Sequence, residues 1–255
     1  MRVTVLGLGE AGRRYAADLT AEGVTVTGFD IRPVDPPAGV RMAASIPEAV
    51  AGTDLVLSLT TAAGAVGAAK EARETLPPGA VYADLNAASP ARKREVASAL
   101  NAGRFADVAV LAPVGRAGLR TPVLVAGPGA AAFADLLRPW RAPVEVVPGE
   151  PGAAAGRKLL RSIFMKSLAA AVLEALAAGR AADCEDWVRA QIVGELAQPA
   201  EALVTRLVDG TRQHAARRLH EMEDTRSYVE ELGAPTDMTT ATIRWLASID
   251  AVQRR

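Results

Sequence analysis

Apolar positions along the first 147 residues fall in short runs, separated by stretches with helical spacing. Val3-Thr4-Val5-Leu6 reads as a buried strand, Arg13 to Ala21 as a helix capped by Gly23, and Val24 to Phe29 alternates as a second strand. The same rhythm predicts strands near Val40 to Ala43, at Asp54 to Leu59 and at Ala80 to Leu85. It places helices from about Pro47, after Gly64 through about Thr75, and from Ser89-Pro90, with serine as cap and proline in the first turn. Phe105 to Leu111, Pro122 to Ala126 and Val144 to Val147 read as further strands, with a helix from Ala130 to about Trp140. Strands alternating with helices predict an α/β fold built on a doubly wound parallel sheet.

Pro148-Gly149-Glu150-Pro151-Gly152 concentrates backbone breakers, and beyond it the strand pattern ends. The expected division is therefore 1–148 and 149–255, the second part all helical. Helices are expected over Ala153 to Ala178, Cys184 to Leu196, Pro199 to Leu232 and Asp237 to about Val252. Asp183 would cap the second, with Asp186 completing a capping box. Leu168 to Ala178 is small and apolar on nearly every side, so that helix needs neighbours all round, and a homodimer through the helical domain is expected.

Between the first strand and first helix stands Gly7-Leu8-Gly9-Glu10-Ala11-Gly12, a G-x-G-x-x-G turn in strand–turn–helix context. Gly7 suits the sharp turn, Gly9 lets backbone approach a pyrophosphate, and Gly12 lets the helix pack closely, which is the Rossmann arrangement for a dinucleotide. Asp30 ends the second strand, where a carboxylate accepts from the adenosine ribose hydroxyls. Asp30 favours NAD, and Arg32, two residues on, offers a countercharge to the 2′-phosphate of NADP.

Composition narrows the partners. Lys and Arg total 29, as do Asp and Glu, so the chain carries no net charge to attract nucleic acid or an anionic membrane, and a small-molecule partner is expected. One cysteine, Cys184, excludes an internal disulfide framework, and no Cys/His cluster suggests a metal. The first strand begins at Arg2, which leaves no room for a signal peptide, and no apolar run is expected to approach the ~20 residues of a membrane span, so a cytoplasmic location is expected.

Ligands of such sheets bind at the carboxyl ends of the strands. Thr60 and Thr61 follow one strand, either as cofactor contacts or as a helix cap. Asn86 follows another, where a ligand contact is favoured over an Asx turn. Past the breakers, Lys158, Arg161, Ser162 and Met165 share one helical face, opposite Leu160, Ile163, Phe164 and Ser167, with Lys166 at the flank. Arg116 and Arg120 suit an anionic substrate group or a solvated loop. His214, Arg218 and Glu221 share a face of the long third helix of the second part.

Together these features resemble the β-hydroxyacid dehydrogenases, the family of 6-phosphogluconate and 3-hydroxyisobutyrate dehydrogenases, to which imine reductases are related. The resemblance covers the whole chain: the glycine turn, Asp84 to Pro90 against D-x-S-T-x-x-P, Asp107-Val108-Ala109-Val110 against D-A-P-V, and Lys158 in a G-x-x-x-x-x-K segment. Within the family the chain is most similar to a branch of phosphogluconate-dehydrogenase-like proteins that shares the spacing of Lys158, Ser162 and Lys166. The resemblance implies an NAD(P)-dependent oxidoreductase acting on a small, anionic hydroxy acid. Lys158 would be its general acid/base and Ser162, Asn86 and Lys166 would stand beside it, with Arg116 and His214 toward substrate. Two departures stand out: Leu111-Ala112-Pro113-Val114-Gly115-Arg116 replaces the carboxylate-holding S-G-G, and Ser162 replaces an asparagine. An imine reductase and a non-catalytic dinucleotide-binding regulator are the alternatives.

Overall fold

A computed structural model of the protein describes residues 1–100 and 104–253. The chain divides into two compact units, Met1–Arg161 and Ser162–Arg255, and the division falls inside one long helix.

The first unit is built on eight strands: β1 (Arg2–Leu6), β2 (Thr25–Phe29), β3 (Arg41–Met42), β4 (Leu55–Ser58), β5 (Val81–Asp84), β6 (Phe105–Val110), β7 (Val123–Ala126) and β8 (Val144–Val146). Their order is β3-β2-β1-β4-β5-β6-β7-β8. The chain moves outward in one direction from β1 and in the other from β4, so the switch point lies between them. On one face, Val5, Leu57, Ala83 and Val125 pack against Tyr15, Ala16 and Leu19 of α1 (Glu10–Ala21) and Phe133 of α6 (Ala130–Leu137). On the other, Leu6, Val56, Tyr82 and Phe105 meet α2 (Ile46–Val50), α3 (Ala65–Ala72) and α4 (Pro90–Leu100). Both faces are covered, which is why β4 and β5 are apolar almost throughout rather than alternating.

The sheet is not parallel throughout, contrary to the sequence expectation: β7 runs antiparallel to β6, and β8 parallel to β7. The β6–β7 connection holds only a four-residue helix, α5 (Val114–Ala117), and a 3-10 turn at Gly118–Arg120. It does not cross the sheet as a parallel return requires. Instead it is fastened to α1, where Arg14 Nη1 donates to Gly115 O at 3.0 Å and Leu119 N donates to Asp18 Oδ2 at 3.0 Å.

Helix α7 (Ala153–Ala181) begins in the first unit and ends in the second, which adds α8 (Glu185–Leu196), α9 (Ala200–Gln213), α10 (Ala215–Glu231) and α11 (Asp237–Gln253). The single helix expected from Pro199 to Leu232 is two. His214 leaves helical geometry at φ −124°, ψ 29°, while Arg218 folds back over Gly210 and bonds Thr211 Oγ1. Asp183 does not cap α8. It adopts φ +56° and closes α7 in a Schellman motif, with Asp183 N on Arg180 O at 3.2 Å and Cys184 N on Gly179 O at 2.8 Å, leaving Cys184 at the N-cap. Glu174 anchors α11 by accepting from Met238 N, Thr239 N and Thr239 Oγ1 at 2.6–2.7 Å.

Helix α7 also corrects the reading of run length. Lys166 and Glu174 interrupt the run, yet an 18-residue window has mean hydropathy 1.5, so by length and composition the helix suffices to cross a membrane. Much apolar surface of the second unit lies open, including Phe164, Leu173, Trp187 and Trp245, each at least 62% exposed.

Candidate functional site

The turn after β1 is shaped by close backbone approach. Gly7 sits at φ +92°, and a Cβ there would lie 2.3 Å from Leu59 O, so the loops after β1 and β4 touch at the switch point. A Cβ on Gly12 would lie 1.9 Å from Gly7 O, which is what presses the helix onto its own turn. Gly9 differs from both, with extended backbone (φ −68°, ψ −166°) and nothing within 4 Å of the Cβ position. Open space beside a backbone that has no side chain, at the N-terminus of a 12-residue helix, fits a pyrophosphate. The first N–H groups of α1, from Glu10, Ala11 and Gly12, have no partner within the helix and would hold it. Leu8, expected to contact the cofactor, instead buries its side chain in the core and donates its N–H to Asp30 Oδ2 at 2.8 Å.

Asp30 therefore braces the turn as well as ending β2. Its Oδ1 accepts from Arg32 N at 2.9 Å, and Arg32 Nε lies 3.6 Å away. Burial alone would raise its pKa, but the two backbone N–H bonds and the guanidinium hold the carboxyl below the usual carboxylate range. Its side chain is 6% exposed against 72% for Arg32, so the arginine stands at the rim and the carboxylate beneath.

At the next loops, Thr61 Oγ1 accepts from Gly64 N at 3.1 Å in the turn before α3, and Thr60 Oγ1 donates to Thr61 O at 3.3 Å. Thr61 thus closes the turn that leads into α3, whose N-cap is Gly64 with no side-chain cap, so neither the capping nor the cofactor expectation is met by a bond it makes here. Asn86 is buried, its N donates to Asp84 Oδ1 at 3.0 Å, and its Nδ2 turns to Asp84 and to Ser58 Oγ. This is the Asx turn the sequence reading disfavoured, with Asp84 as its acceptor.

Asp84 belongs to a buried cluster that pattern reading missed. Asp84 and Asp107 are register partners on β5 and β6, and Lys93 of α4 reaches both, at 3.3 Å to Asp84 Oδ2 and 3.4 Å to Asp107 Oδ1. Lys93 Nζ also donates to Asp84 O at 2.6 Å and to Val108 O at 3.4 Å. The signal was available, since Lys93, Val96 and Leu100 at i, i+3 and i+7 form the buried stripe of α4, and a lysine on a core stripe needs oxygen partners. Asp107 Oδ2 in turn accepts from Gly152 N, Ala154 N and Ala155 N at 3.0–3.1 Å, and so caps α7 from another element.

From that anchor α7 follows β6 toward its carboxyl end, where Arg161 Nη1 comes within 3.5 Å of Leu111 O. Lys158 lies between these two points and is half-buried. Ser162 is half-buried and Lys166 exposed. Arg116 lies exposed on α5, and His214, in the second unit, is exposed at the α9–α10 break. Among the described residues no group of three His, Cys, Asp or Glu is placed to hold a metal ion.

Residues 2–134 match the NAD binding domain of 6-phosphogluconate dehydrogenase, and residues 180–249 match a domain of unknown function, DUF1932. Among solved structures the chain is similar to conserved protein MTH1747, described as of unknown function with structural similarity to 3-hydroxyacid dehydrogenases. That likeness has 28% identity and a TM-score of 0.64, covering 99% of this chain and 98% of that one. It also shares its fold with a reductive aminase from Aspergillus terreus in complex with NADPH4, cyclohexanone and allyl amine (18% identity, TM-score 0.79, 99% and 94% covered). The same holds for an imine reductase variant from Myxococcus stipitatus in complex with NAD+ (18% identity, TM-score 0.83, 98% and 94% covered). With its NAD-binding domain matched over more than half its length and joined to a helical second part, the chain belongs to the β-hydroxyacid dehydrogenase superfamily.

Proposed function

We propose that the protein is an NAD(P)-dependent oxidoreductase that passes a hydride between nicotinamide and the carbon bearing a hydroxyl or carbonyl in a small, anionic hydroxy acid. The observation that carries this reading is the open Gly9 backbone at the N-terminus of α1, with Lys158 on a helix anchored to the same sheet. The cofactor supplies the hydride; the chain supplies binding, orientation and the proton. Lys158 gives or takes that proton at the substrate oxygen, and its ammonium stabilises negative charge as it develops there. Ser162 and Lys166 flank it on α7, and Arg116 offers a bidentate partner for an anionic group. Asp30 favours NAD, while Arg32 at the rim keeps the 2′-phosphate of NADP within reach.

A second reading, imine reduction, is favoured by α5. The segment where hydroxyacid relatives hold a carboxylate is here a helical turn fastened to α1, and suits a substrate lacking that group. The homodimer rests on the open apolar surface of the second unit, and we place a second copy there rather than lipid, because Glu174 lies in the middle of the apolar stretch and anchors α11.

Turnover of a panel of hydroxy acids, oxo acids and cyclic imines with each cofactor decides between the substrate readings. On whichever compound turns over, Lys158→Met lowers kcat at least ~10²-fold with cofactor affinity unchanged. Lys166→Met is the control, and normal turnover by both variants refutes the assignment of the proton.

A further inference from the structure

Lys93 is nearly unexposed, and the reaction proposed above makes no direct use of it. Its surroundings show what it does. Asp84 and Asp107 stand side by side on β5 and β6, both fully buried, and carboxyl groups so placed call for a cation beside them. Lys93 is that cation, seated within 3.4 Å of both and held by Asp84 O at 2.6 Å.

Each of the two side chains orders a different element. Asp84 Oδ1 fixes the turn that carries Asn86, and Asp107 Oδ2 gathers the three N–H groups that start α7, the last of them three residues before Lys158. A lysine serving only as filler on the stripe of Val96 and Leu100 would not need four oxygen partners, and a methionine would fill the same volume.

We propose that Lys93 is a positioning residue: its buried ammonium bridges Asp84 and Asp107 and thereby holds the Asn86 turn and the first turns of α7, with Lys158, in one register. The inference rests on the reading that Lys158 delivers the proton. Its test avoids turnover, so that each can fail without the other.

Lys93→Met keeps the volume and removes the charge. By hydrogen-exchange mass spectrometry of the full-length protein, segments 84–89 and 152–158 exchange ~10-fold faster in the variant, the scale expected on losing charged caps, while segment 2–29 keeps its parental rate. Acetylation of intact protein by acetic anhydride across a pH series, read by mass spectrometry, reports the register at Lys158. Its labelling rate at pH 8 changes at least ~threefold against the exposed reference Lys70. Lys93→Met with Asp84→Asn restores the charge balance, so protection of 152–158 returns to within about twofold of the parent while 84–89 stays fast. Parental exchange and labelling in Lys93→Met overturn the proposal, as does quickening that spreads equally to segment 2–29, or a double variant no better than the single. Should Lys93→Met fail to fold, Asp107→Asn must quicken 152–158 alone and change Lys158 labelling, and parental values there overturn the proposal equally.

Discussion

Two glycines two residues apart should respond to the same substitution in opposite ways. Gly9→Ala places a methyl group where nothing lies within 4 Å, on backbone at φ −68° that alanine accepts. Folding therefore gains from the stiffer unfolded chain, by ~0.4–1 kcal/mol, or about 1–4 °C in Tm. The same methyl enters the space assigned to the pyrophosphate. Displacing one charge-assisted N–H···O contact is worth ~1.5–3 kcal/mol, which weakens dinucleotide binding about 10- to 150-fold. Gly7→Ala has no such compensation. At φ +92° the left-handed conformation costs ~1–2 kcal/mol, and a Cβ 2.3 Å from Leu59 O forces backbone movement costing ~1–3 kcal/mol more. Scanning fluorimetry should thus show Gly9→Ala melting at or above the parent and Gly7→Ala well below it. Titration of nicotinamide fluorescence with NADH and NADPH should show Gly9→Ala binding both weakly. Parental affinity in Gly9→Ala would mean that the phosphates lie elsewhere and the glycine turn is only a turn. NADPH binding more tightly than NADH to the parent would overturn the preference assigned to Asp30.

Burial raises and the Thr239 and Met238 bonds lower the pKa of Glu174, leaving it below the ordinary value, so its contribution to stability is complete above the unfolded glutamate pKa and is lost as pH falls through the folded one. Glu174→Ala should destabilise the helical unit by ~1–2 kcal/mol at pH 7 and by progressively less below about pH 4, as read by urea denaturation at several pH values. Leu173, 69% exposed on α7, lies on the surface assigned to a second copy. Leu173→Arg should shift the mass by light scattering from dimer to monomer at micromolar concentration, and a parent that is itself monomeric refutes the assignment.

The sequence disclosed those parts of the fold that backbone chemistry writes locally. Gly7 and Gly12 announce their turn because no other residue satisfies the approaches of 2.3 and 1.9 Å found there, and Ser89 announces its helix because its hydroxyl accepts from Arg92 N. What escaped was non-local. The reversal of β7 depends on a connection pinned to α1 by Arg14 and Asp18, about a hundred residues earlier in the chain. Asp107 caps a helix through N–H groups 45 to 48 residues later, so no capping pattern could reveal it. Lys93 was legible in principle as a charge on a core stripe, but its meaning needed Asp84 and Asp107 side by side, a fact of strand register rather than of spacing. Asn86 failed for the same reason in reverse, because the side chain that looked free for a ligand had a neighbour two residues away.

The two margins of the sheet bear on how copies of this protein meet. β3 is two residues long and β8 three, so each margin offers only a few unpaired backbone groups to another strand. Such stunted edges discourage growth by strand addition, the route by which open sheets join into ribbons and aggregates. Self-association is thereby left to side-chain surfaces, which pair in closed, countable assemblies, rather than to backbone hydrogen bonding, which has no built-in stopping point.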